Sequence, residues 1–151
     1  MLETANTLES KIKETLLAFA ALTEADWTHK PNPMKWSRKE VLGHLIDSAQ
    51  NNIQRVVRAQ QTNDLHIVYN QNHWVRANHY QGYEITELQL IWYYTNRQFC
   101  HLLRQVPVEL YQQTLNMGSV AVPDFWTMQT VAKDYILHTE HHLKQIFLNL
   151  G

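Results

Sequence analysis

The run Trp36-Ser37-Arg38-Lys39-Glu40-Val41-Leu42-Gly43-His44-Leu45-Ile46-Asp47-Ser48 says most about the architecture. Its first six residues spell the start of a helix. Ser37 is a capping residue, Glu40 three positions on closes a capping box, and Trp36 and Val41 flank them as a hydrophobic staple. Val41, Leu42, Leu45, Ile46, Ile53, Val56 and Val57 then recur at helical spacing, which predicts a long helix over 38–61. The face that carries His44 continues through Ser48, Asn51 and Arg55. One edge of a helix that must pack against others is therefore polar, and buried polar groups are costly unless partners or a ligand use them. Gly43 costs about 1 kcal/mol against alanine inside a helix. It is tolerated where the backbone must pass close to a neighbour or a ligand.

The same grammar recurs further along. Thr86 reads as a cap, Gln89 as the other half of its box, and Ile85 with Leu90 as the staple, predicting a helix over 87–105 that stops before Pro107. A last helix is expected from near Thr127, with Trp126 and Val131 as its staple, ending by Gly151. Leu8, Ile12, Leu16, Phe19 and Ala20 mark a first helix over 4–22. Four long helices in one small chain predict an all-α four-helix bundle, one domain over 1–151. Residues 23–36, with Pro31 and Pro33, read as a loop, and residues 62–84 as a long polar crossover. Residues 107–126 read as a short turn of helix with irregular extended structure.

Composition removes several classes of function. With 151 residues the chain has room for one core, and its 13 Lys+Arg balance 14 Asp+Glu. That leaves no broad basic field for a phosphate backbone, so no nucleic-acid partner is expected. The longest apolar run, Leu16–Leu22, is far short of the ~20 residues a bilayer needs, so no membrane partner is expected either. The opening residues have no signal-peptide pattern, and the single Cys100 excludes an internal disulfide. Both features fit a cytoplasmic protein. Cys100 lies among tyrosines and leucines and reads as a small buried apolar residue. Only four glycines are present, in neither a Rossmann nor a Walker pattern, and no GxSxG elbow occurs.

Histidine, with nine copies, is what remains to carry chemistry. In His138-Thr139-Glu140-His141-His142, positions 138 and 142 lie about 40° apart on one helical face, one turn above the other. Side chains so spaced can converge on one metal ion. Their stripe includes Val131, Tyr135 and Ile146 and must face the core, whereas His141 lies on a more peripheral face; pairing of 138 with 141 stays open. His44, in the apolar pattern of the second long helix, is the candidate third ligand. Taken singly, each histidine also reads as an ordinary hydrogen-bonded residue. Together they match the His₃ set of a metal site with open positions. Asp47, one turn past His44, is a candidate orienting carboxylate or base, and Asn51 and Trp74 are candidate pocket residues. All-imidazole ligation suits zinc, nickel, iron or copper, and the affinity order alone does not choose among them; the expected cofactor is a divalent cation, zinc or nickel first, iron or manganese next.

These residues carry a family resemblance. The pattern W-S-x-x-E-V-x-x-H-L-x-D-S, Trp36 to Ser48, resembles the second helix of the DinB/YfiT-like superfamily. The ending H-x-x-x-H-x-x-Q-I, with His138, His142, Gln145 and Ile146, resembles its last helix, and the stretch from Tyr69 to Trp74 resembles its connection. The resemblance implies a four-helix bundle, often a homodimer, with a divalent metal held by His44, His138 and His142. It implies a small-molecule substrate, with hydrolase or thiol S-transferase chemistry and, for the latter, a low-molecular-weight thiol. In one place the chain departs from the pattern. Where YfiT-like relatives carry acids after the tyrosine, this sequence has the amides Asn70, Gln71 and Asn72, which keeps open the alternative of a non-enzymatic bundle that binds a metal or a small ligand.

Overall fold

The structure is a computed structural model, and it describes residues 1–30 and 32–148. Pro31 and the expected helix end at Gly151 lie outside the described residues. Four long helices build the bundle: α1 (Leu2–Ala18), α3 (Arg38–Ala59), α5 (Ile85–Gln105) and α6 (Met128–Leu148). Two short helices, α2 (Glu24–Thr28) and α4 (Gln71–Asn78), occupy connections. Three short strands, β1 (Leu65–His66), β2 (Thr114–Asn116) and β3 (Phe125–Thr127), form a small sheet. β1 pairs with β2 in parallel and β2 with β3 antiparallel.

The start of α3 follows the sequence signature. The Glu40 amide donates to Ser37 Oγ at 3.1 Å, and the Ser37 amide donates back to Glu40 Oε2 at 2.8 Å. A second box, Thr23 with Asp26, opens α2 inside the stretch expected to be a loop. That short helix drops Trp27 into the core, where its indole meets Phe19 edge-on. The box expected at Thr86 does not form. α5 starts at Ile85 behind Glu84, with no side-chain cap, and the Leu88 amide donates to the Glu84 carbonyl. The buried Lys39 ammonium fixes this entry point by donating to the Tyr83 carbonyl at 2.8 Å. The chain therefore turns into the helix before Thr86 is reached. The last helix starts near Thr127 as expected, and there the Thr127 hydroxyl accepts from the Thr130 amide and caps α6.

The contacts also set the topology. α3 packs between α5 and α6, and α1 lies against the same two helices. Lys39, near the start of α3, meets Tyr83 just before α5, so α3 and α5 begin at the same end and run parallel. Arg38 donates through Nε to the Ile146 carbonyl, so α6 ends where α3 begins and runs antiparallel to it. Arg104 near the end of α5 reaches Asn6 in α1, making that pair antiparallel. Two parallel neighbours need a connection that travels the length of the bundle, which is why residues 60–84 are long. The crossover is not featureless: it holds β1, α4 and a turn of 3₁₀-helix, Tyr80–Gly82.

That turn explains Gly43. A Cβ at this position would sit 2.0 Å from Cδ2 of Tyr80, so the Tyr80 ring lies directly on bare α3 backbone. Gly118, between β2 and β3, serves a similar purpose, since a Cβ there would lie 2.4 Å from the Val122 carbonyl oxygen.

Candidate metal centre

His44, on the second turn of α3, is buried; His138 and His142 face it from α6 and are half-buried. One ring nitrogen from each lies within 4.8 Å of the others. Nε2 of His44 and Nε2 of His138 are 3.2 Å apart. The ring of His142 sits 4.6 Å from each of the other two, centroid to centroid. Two nitrogens bound at 2.0–2.1 Å to a tetrahedral ion lie roughly 3.3 Å apart. The donor set and this spacing both fit a divalent cation that accepts imidazole.

Neighbouring groups fix the rings. His142 Nδ1 lies 2.8 Å from Gln145 Oε1. That oxygen only accepts, so Nδ1 carries the proton and the Nε2 lone pair is left free. The Gln145 amide donates in turn to His141 Nε2 at 3.2 Å, which keeps the exposed His141 out of the triad. Ser48 Oγ lies 3.5 Å from His138 Nδ1. His44 Nδ1 is buried with no partner among the described residues. Trp36 packs against the His44 ring at 5.1 Å, and Tyr69 lies at 6.5 Å.

Burial dominates the electrostatics. It pushes His44 down to about 3, with His142 and His138 adding repulsion. His138 falls to about 4, again chiefly by burial and then by neighbouring histidines. His142 is lowered by burial, against the opposing hydrogen bond that it donates to Gln145. All three rings are therefore neutral near pH 7, the form that ligates metals.

The other candidate residues sit around this cluster in different ways. Asp47 is fully buried, and its Oδ1 accepts from the Tyr80 hydroxyl at 2.5 Å and from Asn78 Nδ2 at 3.1 Å. Burial raises it to about 6, against the lowering effect of the Tyr80 hydrogen bond. Its contacts thus tie α3 to the crossover, and Oδ2 has no partner among the described residues. Asn51 is buried and donates to the Asp47 carbonyl one turn back on its own helix at 2.8 Å. Trp74, half-buried on α4, packs on Tyr69 at 5.3 Å and so stands one ring away from His44.

Sequence reasoning gave no role to Gln145, Tyr69 or Tyr80. Gln145 was detectable, being three residues after His142 on the same helix. Tyr69 and Tyr80 carry no local signal, because the crossover delivers them from a distance. Asn70 serves the backbone, since its side chain caps α4 by accepting from the His73 amide at 3.0 Å. Beside His138, a cavity of about 100 Å³ runs along the groove between α3 and α6.

The chain belongs to the DinB superfamily, whose family model matches residues 7–146. Among solved structures it is similar to YfiT from Bacillus subtilis, described as "a probable metal-dependent hydrolase with an unusual four-helix bundle topology". The TM-score is 0.79 at 15% identity, over 96% of this chain and 81% of that one. Among curated proteins none matches the sequence. Among the described residues no helix is long and apolar enough to cross a membrane.

Proposed function

We propose that the chain is a divalent-metal-dependent enzyme that activates water or a small thiol for attack on a small electrophilic substrate. The observation that carries this reading is the convergence of His44, His138 and His142 within 4.8 Å, beside a cavity. The description of YfiT as a metal-dependent hydrolase supports the same class of chemistry. A divalent cation bound there would lower the pKa of a water or thiol that reaches it and polarise an electrophile.

The chain's own residues do the rest. The three imidazoles are held neutral by burial and would hold the cation through ring nitrogens. Gln145 keeps the proton of His142 on Nδ1 and so presents Nε2. Trp36 and Tyr69 wall the cluster with apolar ring surface, which limits the water around it. Asp47 positions the wall by holding Tyr80 and Asn78, and through them the crossover that carries Tyr69 and Trp74. Zinc and nickel suit three imidazoles best, with iron and manganese as further candidates.

Metal content per chain tests the reading, measured by ICP-MS on tag-free protein for wild type, His44→Ala and His138→Ala. One ion per wild-type chain, lost in both variants, is the expected result. A wild type that takes up no Zn²⁺, Ni²⁺, Fe²⁺ or Mn²⁺ even after reconstitution would overturn it.

A further inference from the structure

The cavity beside His138 is lined by two opposite charges, Arg55 from α3 and Asp134 from α6. They do not pair. Among the described residues no carboxylate oxygen comes within 4 Å of the Arg55 guanidinium, although Asp134 is near enough to act on its charge. Arg55 is half-buried, and burial disfavours its charged form. Such a cation normally finds a carboxylate partner. Instead its Nε and Nη2 donate to the Ile67 carbonyl at 3.1 and 2.8 Å, and its Nη1 to Asn52 Oδ1 at 3.4 Å. Three of the five N–H groups are thereby used to fix the guanidinium, and two are left over. Asp134 makes no side-chain hydrogen bond or ion pair among the described residues. A rigid cation and an available anion thus flank one small space, next to the histidine that faces His44.

We infer that this cavity is a subsite for the α-amino-acid end of the substrate or thiol, its carboxylate on Arg55 and its ammonium on Asp134. The inference rests on the reading of the three histidines as the reaction centre, with the reactive group of the same molecule directed at them. A zwitterion answers both charges at once. A dianion such as a phosphate would meet Asp134 with repulsion, and an uncharged group would leave both residues unanswered. The volume of about 100 Å³ suits a small head group. Ser48 and Asn52, both buried, add polar atoms to the same wall. The guanidinium keeps one N–H on Nη1 and one on Nη2 for a carboxylate, and its position is already set, so little entropy is lost on binding.

The test uses three small thiols as probes on zinc-reconstituted protein: L-cysteine, cysteamine, which lacks the carboxylate, and 3-mercaptopropionate, which lacks the amine. Titration calorimetry ranks them, with metal content and thermal melting followed in parallel. L-cysteine is expected to bind at least tenfold more tightly than either relative. Arg55→Met removes its advantage over cysteamine, and Asp134→Asn removes its advantage over 3-mercaptopropionate, each with metal content still at one per chain. Because Arg55 also holds the Ile67 carbonyl, Arg55→Lys serves as a second variant if the first melts early. It keeps the charge but not the fork, and gives an intermediate loss. A metal-loaded wild type that binds the three thiols equally overturns the subsite and leaves the metal centre standing. A wild type that takes up no zinc refutes the reading of the histidines, and the subsite falls with it.

Discussion

Two regions of the bundle are built on opposite principles. Around α5 the contacts are aromatic: Phe19 meets Trp92, and Phe99 meets Tyr135 edge-on at 5.1 Å. The polar residue placed there, Asn96, is fully employed, donating to the Trp92 carbonyl and accepting from the Tyr135 hydroxyl at 2.6 Å. The Trp92 indole N–H is buried there without a partner among the described residues. Between α3 and α6, by contrast, His44 meets His138 and His142, and beside them Ser48, Asn52 and Arg55 face Asp134 and His138 across a cavity. His44 Nδ1 and, at its margin, Asp47 Oδ2 are likewise buried without partners among the described residues. The apolar side leaves one N–H without a partner among the described residues, whereas the seam gathers three imidazoles, an Arg55 and an Asp134 that do not pair, and two further orphaned polar atoms. The bundle thus gathers its aromatic packing mainly on one side and its buried histidines and unpaired charges on the other.

One cut in each region puts this contrast at greatest risk. Phe99→Ala should cost about 3–5 kcal/mol by cavity formation, with metal content unchanged. His44→Leu should abolish metal binding and leave the stability of the metal-free protein level or higher, because an uncompensated polar ring gives way to an apolar one. Urea unfolding of both variants, each stripped of metal, measures the difference. A His44→Leu variant as unstable as Phe99→Ala would mean that the seam is ordinary core.

Acid separates the regions next. A histidine whose folded pKa is depressed binds its proton more readily in the unfolded chain, so its contribution is fully present above pH 6.5. It is lost as pH falls from there toward the folded value. For His44 and His138 those values are about 3 and about 4. Asp47 works in the other direction: raised to about 6, it gains a proton first in the folded state and adds stability as pH falls from 6 toward 3.8. With the histidines in the majority, metal-free protein should lose stability steadily from pH 6.5 to 4.5, and His44→Leu should flatten the slope. Equal slopes in wild type and variant would remove the buried triad as the cause.

The two regions also differ in how far the sequence revealed them. The four long helices were legible because Ser37 with Glu40 and the apolar spacing of α3 are local signals, and local signals need only local geometry. The convergence of His44, His138 and His142 could be anticipated from helical faces for the same reason. The box at Thr86 misled, because the entry to α5 is set by Lys39 on another helix, which holds the Tyr83 carbonyl 44 positions further along the chain. α2 and α4 were missed because each is shorter than the window in which periodicity speaks. Tyr80 over Gly43, Tyr69 over His44 and the Arg55–Asp134 cavity depend on where the crossover lands, and no spacing within it encodes that. Gly43 alone hinted at a close neighbour without naming it.

The smallest expected effect sits on a third surface of the same helix. On the side of α6 away from α3, Glu140 pairs with Lys11 of α1 at 2.8 Å, with side chains 36% and 30% exposed. The pairing lowers the Glu140 carboxyl, chiefly through the hydrogen bond from Lys11. Water and salt nevertheless screen a pair this open, and exposed pairs of this kind contribute about 0.2–1 kcal/mol. Glu140→Gln should therefore shift the urea midpoint only slightly, and the shift should vanish in ~1 M salt, where the screening length is ~3 Å. Metal content should stay the same, since residue 140 faces α1 while 138 and 142 face α3. A larger loss would mean that α6 is held against α1 by charge. The seam would then owe its alignment to that outer pair as well as to the aromatic packing around α5.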